Sequence, residues 1–358
     1  MAFCIKLHRI AHLLLLLLLL LLLSFTSLTL GADMPSETRP QCAKLHGGCH
    51  DKTQALKLKL IAIGSILLTS MIGVCLPIFS RSVPALQPDK DLFVLVKAFA
   101  SGVILATGYM HVLPDSFDCL RSDCLPEYPW KKFPFTTFAA MLSAVATLML
   151  DSFSMSFYKR RFPAADNSNH VEISVELESV GHGDKNIEKE VDEKGFVQLL
   201  RHRVVAQVLE VGIVVHSVVI GLSMGASDNP CTIRPLIAAL CFHQMFEGMG
   251  LGGCILMAEY GSKMKATMVF FFSTTTPFGI ALGIGLSDVY RENSPTALIV
   301  VGLLNAISAG LLNYMALVDL LASDFMGPKL QSNVKLQMLA YFAVLLGAGG
   351  MSLMAKWA

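Results

Sequence analysis

Residues 240–253 read LCFHQMFEGMGLGG, and residues 208–227 read VLEVGIVVHSVVIGLSMGAS. With their flanks, both are long and apolar enough to supply the 20 or so residues that a helix needs to cross a bilayer. Yet both carry groups that hydrocarbon does not solvate: His243, Gln244 and Glu247 in the first, and Glu210, His216 and Ser217 in the second. A histidine or carboxylate inside a membrane helix is costly and faces a cavity or a partner. His243 and Glu247 are spaced i,i+4 and so share one face, a turn apart. Both motifs lie near mid-span, so two helices of opposite direction can bring two imidazoles and a carboxylate to one depth. A third stretch, GYMHVLPDSF at residues 108–117, adds His111 and, four residues on, Asp115. His111, His216, His243 and Glu247 together offer three nitrogens and an oxygen. That set suits Zn²⁺, Fe²⁺, Mn²⁺ or Co²⁺ and, lacking thiolate, argues against copper(I). Taken singly, each histidine reads more readily as a hydrogen-bonded packing residue, and Ser217 and Gln244 as interhelical hydrogen-bonders. Packing does not account for three histidines and a glutamate in three spans at matching depth. Glu210 lies one heptad before Ser217 on a similar face, with a pathway role and a structural role equally open.

The rest of the chain agrees with a membrane setting. Of its 358 residues, 54% are hydrophobic and only 15% charged, with a mean hydropathy of +0.59. Soluble domains carry about a quarter charged residues, so an ordinary soluble enzyme is excluded. With Lys+Arg 28 against Asp+Glu 27, there is no basic excess to neutralise nucleic-acid phosphates. Eight apolar stretches qualify as spans: 58–80, 92–115, 134–156, 204–226, 233–257, 267–288, 296–320 and 335–356. The expected fold is an all-α membrane protein of eight transmembrane helices. The charged stretch 157–203 splits them into three (58–156) and five (204–358) and reads as a flexible cytosolic loop.

The N-terminus has Lys6 and Arg9, an unbroken run from Leu13 to Leu23, then small residues to Ala32. Residues 1–32 therefore read as a signal peptide, followed by an extracellular tail over 33–57. Of the nine cysteines, Cys42, Cys49, Cys119 and Cys124 fall where disulfides form, with free thiols the alternative. Cys75, Cys241 and Cys254 fall in apolar stretches and read as small buried hydrophobes. With the mature N-terminus outside, basic residues concentrate on the inner side, as the positive-inside rule requires, and the long loop supplies most of the excess. Lys97, near the inner end of its span, is expected to snorkel.

HSVVIGLSMG at 216–225, HQMFEG at 243–248 and GYMHVLPDSF at 108–117 resemble the ZIP (ZRT/IRT-like) family of divalent metal transporters, its plant branch in particular. The resemblance covers essentially the whole mature chain. It implies eight helices in two groups that shift against each other, with a metal site between them, moving zinc, iron or related ions into the cytosol. It also implies His111, His216, His243 and Glu247 as primary ligands. Ser217 and Gln244 stand at positions that serve a second metal in some relatives, and Asp115 falls on the entrance side. Several relatives carry a carboxylate four residues after the fourth-span histidine. Here that position is Ile220, so one principal ion is expected. Loop histidines are sparse, so any loop metal contact rests on His170 and His182.

The reading is of a transporter of Zn²⁺ first, with Fe²⁺, Mn²⁺ and Cd²⁺ as other cargoes. No cofactor is called for, because the ion is substrate. Its partners are the cation and the lipid bilayer, a homodimer is compatible, and the plasma membrane is the expected location. An intramembrane zinc-dependent hydrolase is the alternative. It would need a general base beside a metal-bound water, and H-x-x-x-E leaves Glu247 as a ligand.

Overall fold

The computed structural model describes residues 51–79, 90–161, 183–287 and 294–354. Among them are helices and no strand. The long helices, in chain order, are α1 Lys52–Phe79, α2 Asp91–Leu120, α3 Phe135–Arg161, α4 Gly183–Ala226, α5 Pro230–Met257, α6 Ser262–Leu286, α7 Pro295–Phe325 and α8 Val334–Met354. Seven of them are long and apolar enough to cross a bilayer, and α5 falls short. It is 28 residues long, but His243, Gln244, Glu247 and a run of glycines lower its hydropathy. The residues that make α5 chemically distinct also mask it as a span.

Polar side chains set several of the starts. Asn229 accepts from the amide of Cys231 at 3.0 Å ahead of Pro230, the first residue of α5. Ser294 accepts from Ala297 at 3.3 Å ahead of Pro295 in α7. A capping side chain satisfies an amide with no partner inside the helix, and proline at the first position gives up an amide that has none.

The fourth helix begins at Gly183, inside the stretch read as loop. The physical reason is local. Residues 183–203 hold no proline, are rich in Lys and Glu, and place Glu190 four residues before Lys194. That is a composition a solvated helix tolerates well, and apolar periodicity alone does not report it.

The helices pack as two groups of four. In one, α1 lies on α5 and α6, and α4 lies on α5 and α6; in the other, α2 lies on α7 and α8, and α3 lies on α7. The groups meet mainly where α2 touches α5 and α4 touches α7. Small residues set the spacing inside the first group. A Cβ on Gly248 of α5 would stand 2.8 Å from the Val74 nitrogen and 2.9 Å from the Phe272 ring. One on Gly283 of α6 would stand 2.7 Å from the Cα of Gly225 in α4. Without a hydrophobic driving force between helices in lipid, such close backbone contact provides the attraction.

Of the most apolar window of each helix, 78% is enclosed in α4 but only 17% in α3 and 22% in α8. Exposed Phe138, Met141, Leu142 and Leu148 on α3, with Phe342, Leu345 and Leu346 on α8, form faces suited to lipid.

Two π-helical segments interrupt the regular helices, Gly108–Val112 in α2 and Met315–Ala322 in α7. Such segments recur at functional sites. The first contains His111.

Lys97 does not snorkel. It is 8% exposed and donates to Asp324 of α7 at 2.8 Å. Lys59 of α1, also buried, lies 3.7 Å from Asp228. Cys124 is disulfide-bonded, as the reading allows, but Cys119 is a free thiol. Cys231, at the start of α5, is also disulfide-bonded. Its place beside an apolar span hid it from the sequence reading. Cys75, Cys241 and Cys254 are free thiols, and only Cys254 is fully buried.

Candidate metal centre

The π-helical segment of α2 presents His111, α4 presents His216, and α5 presents His243 and Glu247. All four are buried: His111 is 6% exposed, His216 and His243 are 1%, and Glu247 is 0%. One donor atom each from His216, His243 and Glu247 fall within 4.8 Å of one another. His243 Nε2 lies 3.4 Å from Glu247 Oε2, the i,i+4 pairing that the spacing anticipates. The rings of His216 and His243 have centroids 5.2 Å apart. His111 stands edge-on to both, at 6.2 Å from His216 and 6.1 Å from His243. The structure thus brings all four together, with a tight set of three and His111 on its flank, outside that set. Because His111 comes from the second helix group and the others from the first, the cluster straddles the seam.

Among the described residues, these donors lack hydrogen-bond partners. His111 Nε2, both ring nitrogens of His216, His243 Nε2 and both oxygens of Glu247 are buried with none. A buried polar atom left unpaired costs about 1–3 kcal/mol, more if charged, so packing alone is a poor reason to gather six of them at one spot. A cation bound by the same atoms offsets that cost, and the donor set fits a divalent ion of the first transition row.

The tautomer of His243 follows from its neighbour. Thr107 Oγ1 donates to the carbonyl of Val103 at 3.0 Å and lies 3.5 Å from His243 Nδ1. With its only hydrogen committed, the hydroxyl can only accept from the ring. That contact suits the tautomer with its proton on Nδ1, which leaves the Nε2 lone pair free for a metal held with Glu247. Metal-binding histidines are commonly held this way.

Four other sequence-derived residues lie on the same helices as this core. Asp115, one turn beyond His111, is partly buried and within electrostatic reach of it. Glu210 is 2% exposed on α4, with one oxygen lacking a partner, but it is not part of the set of three. Ser217 and Gln244, each 1% exposed, have unpartnered polar atoms. His170 and His182 lie outside the described residues, as does the signal peptide. The sequence reading missed Thr107 on α2, Asn313 on α7, and Ser273 and Thr276 on α6. The last two are fully buried with unpartnered hydroxyls. The run FSTTTP at 272–277, polar within an apolar span, was the available signal.

A family model described as ZIP zinc transporter matches residues 56–355. The chain belongs to the ZIP zinc transporter family. As a ZIP protein it is a membrane transporter rather than an enzyme, and the hydrolase alternative falls away. The chain is 63% identical over 345 residues to Fe(2+) transport protein 1 of Oryza sativa subsp. japonica, covering 92% of both chains. It is 58% identical to Zinc transporter 7 of Arabidopsis thaliana, over 99% of this chain and 98% of that one. Fe(2+) transport protein 1 of Arabidopsis thaliana is 59% identical, over 87% and 88% of the two chains. This ZIP chain therefore resembles, over nearly its full length, proteins named for zinc and proteins named for iron.

Proposed function

We propose that this ZIP protein carries divalent metal ions into the cytosol through a single mid-membrane site, with His216, His243 and Glu247 as ligands and His111 joining them when the two helix groups close. The observation that carries the reading is the set of buried, unpartnered nitrogen and carboxylate donors on the seam between the groups. A bare dication does not enter hydrocarbon, because the loss of its water shell is prohibitive. Imidazole and carboxylate replace that shell. One carboxylate among neutral imidazoles leaves the loaded site near +1, loose enough for release, as conduction requires. An inside-negative potential adds about 4.6 kcal/mol per 100 mV for a divalent ion, at about 2.3 per charge.

Zinc is the first assignment, on the nitrogen-rich donor set. Fe²⁺ follows from the names of the relatives, and Mn²⁺ and Cd²⁺ are further candidates. The proposed organisation has eight spans, with α5 as the eighth. The N-terminal tail is extracellular, the 157–203 stretch is cytosolic, and the protein sits in the plasma membrane as a monomer or homodimer. Ser217, Gln244, Glu210 and Asp115 line the pathway, and His170 and His182 are auxiliary contacts of the cytosolic stretch.

The test is radiolabelled zinc uptake into vesicles containing the purified protein, with Fe²⁺, Mn²⁺ and Cd²⁺ as competitors. Saturable accumulation, lost in His243→Ala, is expected. Vesicles that accumulate no divalent metal would overturn the reading.

A further inference from the structure

His216 is the histidine of the tight set that nothing supports. Both of its ring nitrogens are buried without a hydrogen-bond partner, whereas His243 has Thr107 Oγ1 at 3.5 Å from Nδ1. A metal takes one nitrogen of a neutral imidazole, and the other then carries the proton and needs an acceptor. Thr107 reaches His243 from α2, across the seam. The acceptor for His216 is to be sought on α7, which faces α4 across the same seam.

The register of α4 against α7 locates it. Arg201 Nη2 lies 4.0 Å from Asp319 Oδ1, and a Cβ on Gly212 would stand 3.5 Å from the Cβ of Leu311. Numbers rise along α4 as they fall along α7, so the two helices run antiparallel there. One further turn leads from Gly212 to His216 on α4, and from Leu311 to Ile307 or Ser308 on α7, because residues three or four apart share a helix face. Ile307 is 39% exposed, and its carbonyl accepts from Ser143 of α3. Ser308 is 0% exposed, and its Oγ has no partner. The contacts of α2 give the same depth independently. Gly108 packs on the Ala309 carbonyl and the Asn313 side chain, and Gly302 packs on Leu120. His111, three residues beyond Gly108, therefore comes level with Ser308 and Ala309. Ser308 stands at the depth of the metal centre, on the face of α7 that is turned toward α4.

We propose that Ser308 is the positioning residue of His216: in the metal-loaded centre its Oγ accepts the N–H of the ring nitrogen that the ion leaves free. The inference rests on the reading of His216 as a ligand of the transported ion. Left apart, imidazole and hydroxyl are two buried polar groups without partners, and joining them removes both penalties. The serine hydrogen stays available for the carbonyl of Leu304, one turn back, the arrangement that Thr107 shows with Val103. Thr107 and Ser308 both belong to the second helix group, while His243 and His216 belong to the first. The aim of both imidazoles thus depends on how the groups are aligned, and sliding one group past the other loosens the hold on the ion.

The test is equilibrium binding of radiolabelled zinc to the purified full-length chain, unaltered and carrying Ser308→Ala or Ser308→Thr. Ser308→Ala should weaken binding about 10–100-fold, the usual cost of losing the outer partner of a metal ligand, with the melting temperature of the metal-free protein unchanged. Ser308→Thr, which keeps the hydroxyl, should restore the affinity. In vesicles, Ser308→Ala should raise the KM for zinc by the same factor and largely preserve the maximal rate. Zinc binding by Ser308→Ala as tight as that of the unaltered chain overturns the proposal. Equal weakening by Ser308→Ala and Ser308→Thr also overturns it, because that marks a packing role rather than a hydroxyl. Failure of the underlying reading looks different: His216→Ala would leave zinc binding unchanged, or vesicles holding the unaltered chain would accumulate no metal.

Discussion

Replacing Glu247 with Gln keeps the shape of the side chain and removes the only anionic ligand of the proposed centre. Glu247 is fully buried, and its carboxylate is 3.4 Å from His243 Nε2. Two unit charges 4 Å apart interact by about 4 kcal/mol at an effective dielectric near 20, and a dication doubles that to about 8. Desolvation of the carboxylate returns part of it. If half is returned, about 4 kcal/mol remains, or roughly three decades of affinity at 1.4 kcal/mol per decade. The expected result is that Glu247→Gln reduces zinc uptake at sub-saturating zinc about a thousandfold. The assay is radiolabelled uptake in yeast lacking its own zinc importers, normalised to surface biotinylation. Uptake within tenfold of the unaltered protein, at equal surface level, would refute the electrostatic reasoning and remove Glu247 from the ligand set.

Thr107→Val removes the acceptor that fixes the His243 tautomer, and second-layer losses of this kind cost about 10–100-fold in metal affinity. A rise of that size in the KM for zinc, with the maximal rate largely preserved, is expected from uptake kinetics. Gly248→Ala places a methyl against Val74 and Phe272 and should cost about 1–3 kcal/mol of overpacking, read as a lower melting temperature in detergent. Gly285→Ala meets nothing within 4 Å and should be neutral, or stabilising by up to about 1 kcal/mol. The ligands bind metal only when deprotonated, so protons compete with the ion. Lowering external pH from about 7 to about 5 should raise the KM for zinc, and a fall would contradict the account.

Much of this was legible in the sequence because hydrocarbon is so unforgiving a solvent. His216, His243 and Glu247 stood out as expensive residues in apolar stretches, and their spacing fixed which shared a face. The seven clear spans followed from length and apolarity. What was not legible depended on contacts. The fate of Lys97 turned on whether Asp324, 227 residues away, stood within reach. The position of His111 depends on a π-helical segment that has no composition signature, and the extension of α4 to Gly183 on helix propensity where apolar periodicity is absent. Thr107 was overlooked because one hydroxyl in an apolar helix usually bonds back to its own turn. It does so here, to Val103, and that bond is what makes it an acceptor for His243.

The central claim is that His216, His243 and Glu247 hold the transported ion on the seam between the two helix groups. Anomalous diffraction at the zinc edge, from crystals of the protein grown with zinc, tests it most directly. The account predicts a peak about 2.0–2.2 Å from His243 Nε2, a nitrogen of His216 and an oxygen of Glu247. A zinc peak held elsewhere in the membrane region, with these three side chains bearing none, would contradict it.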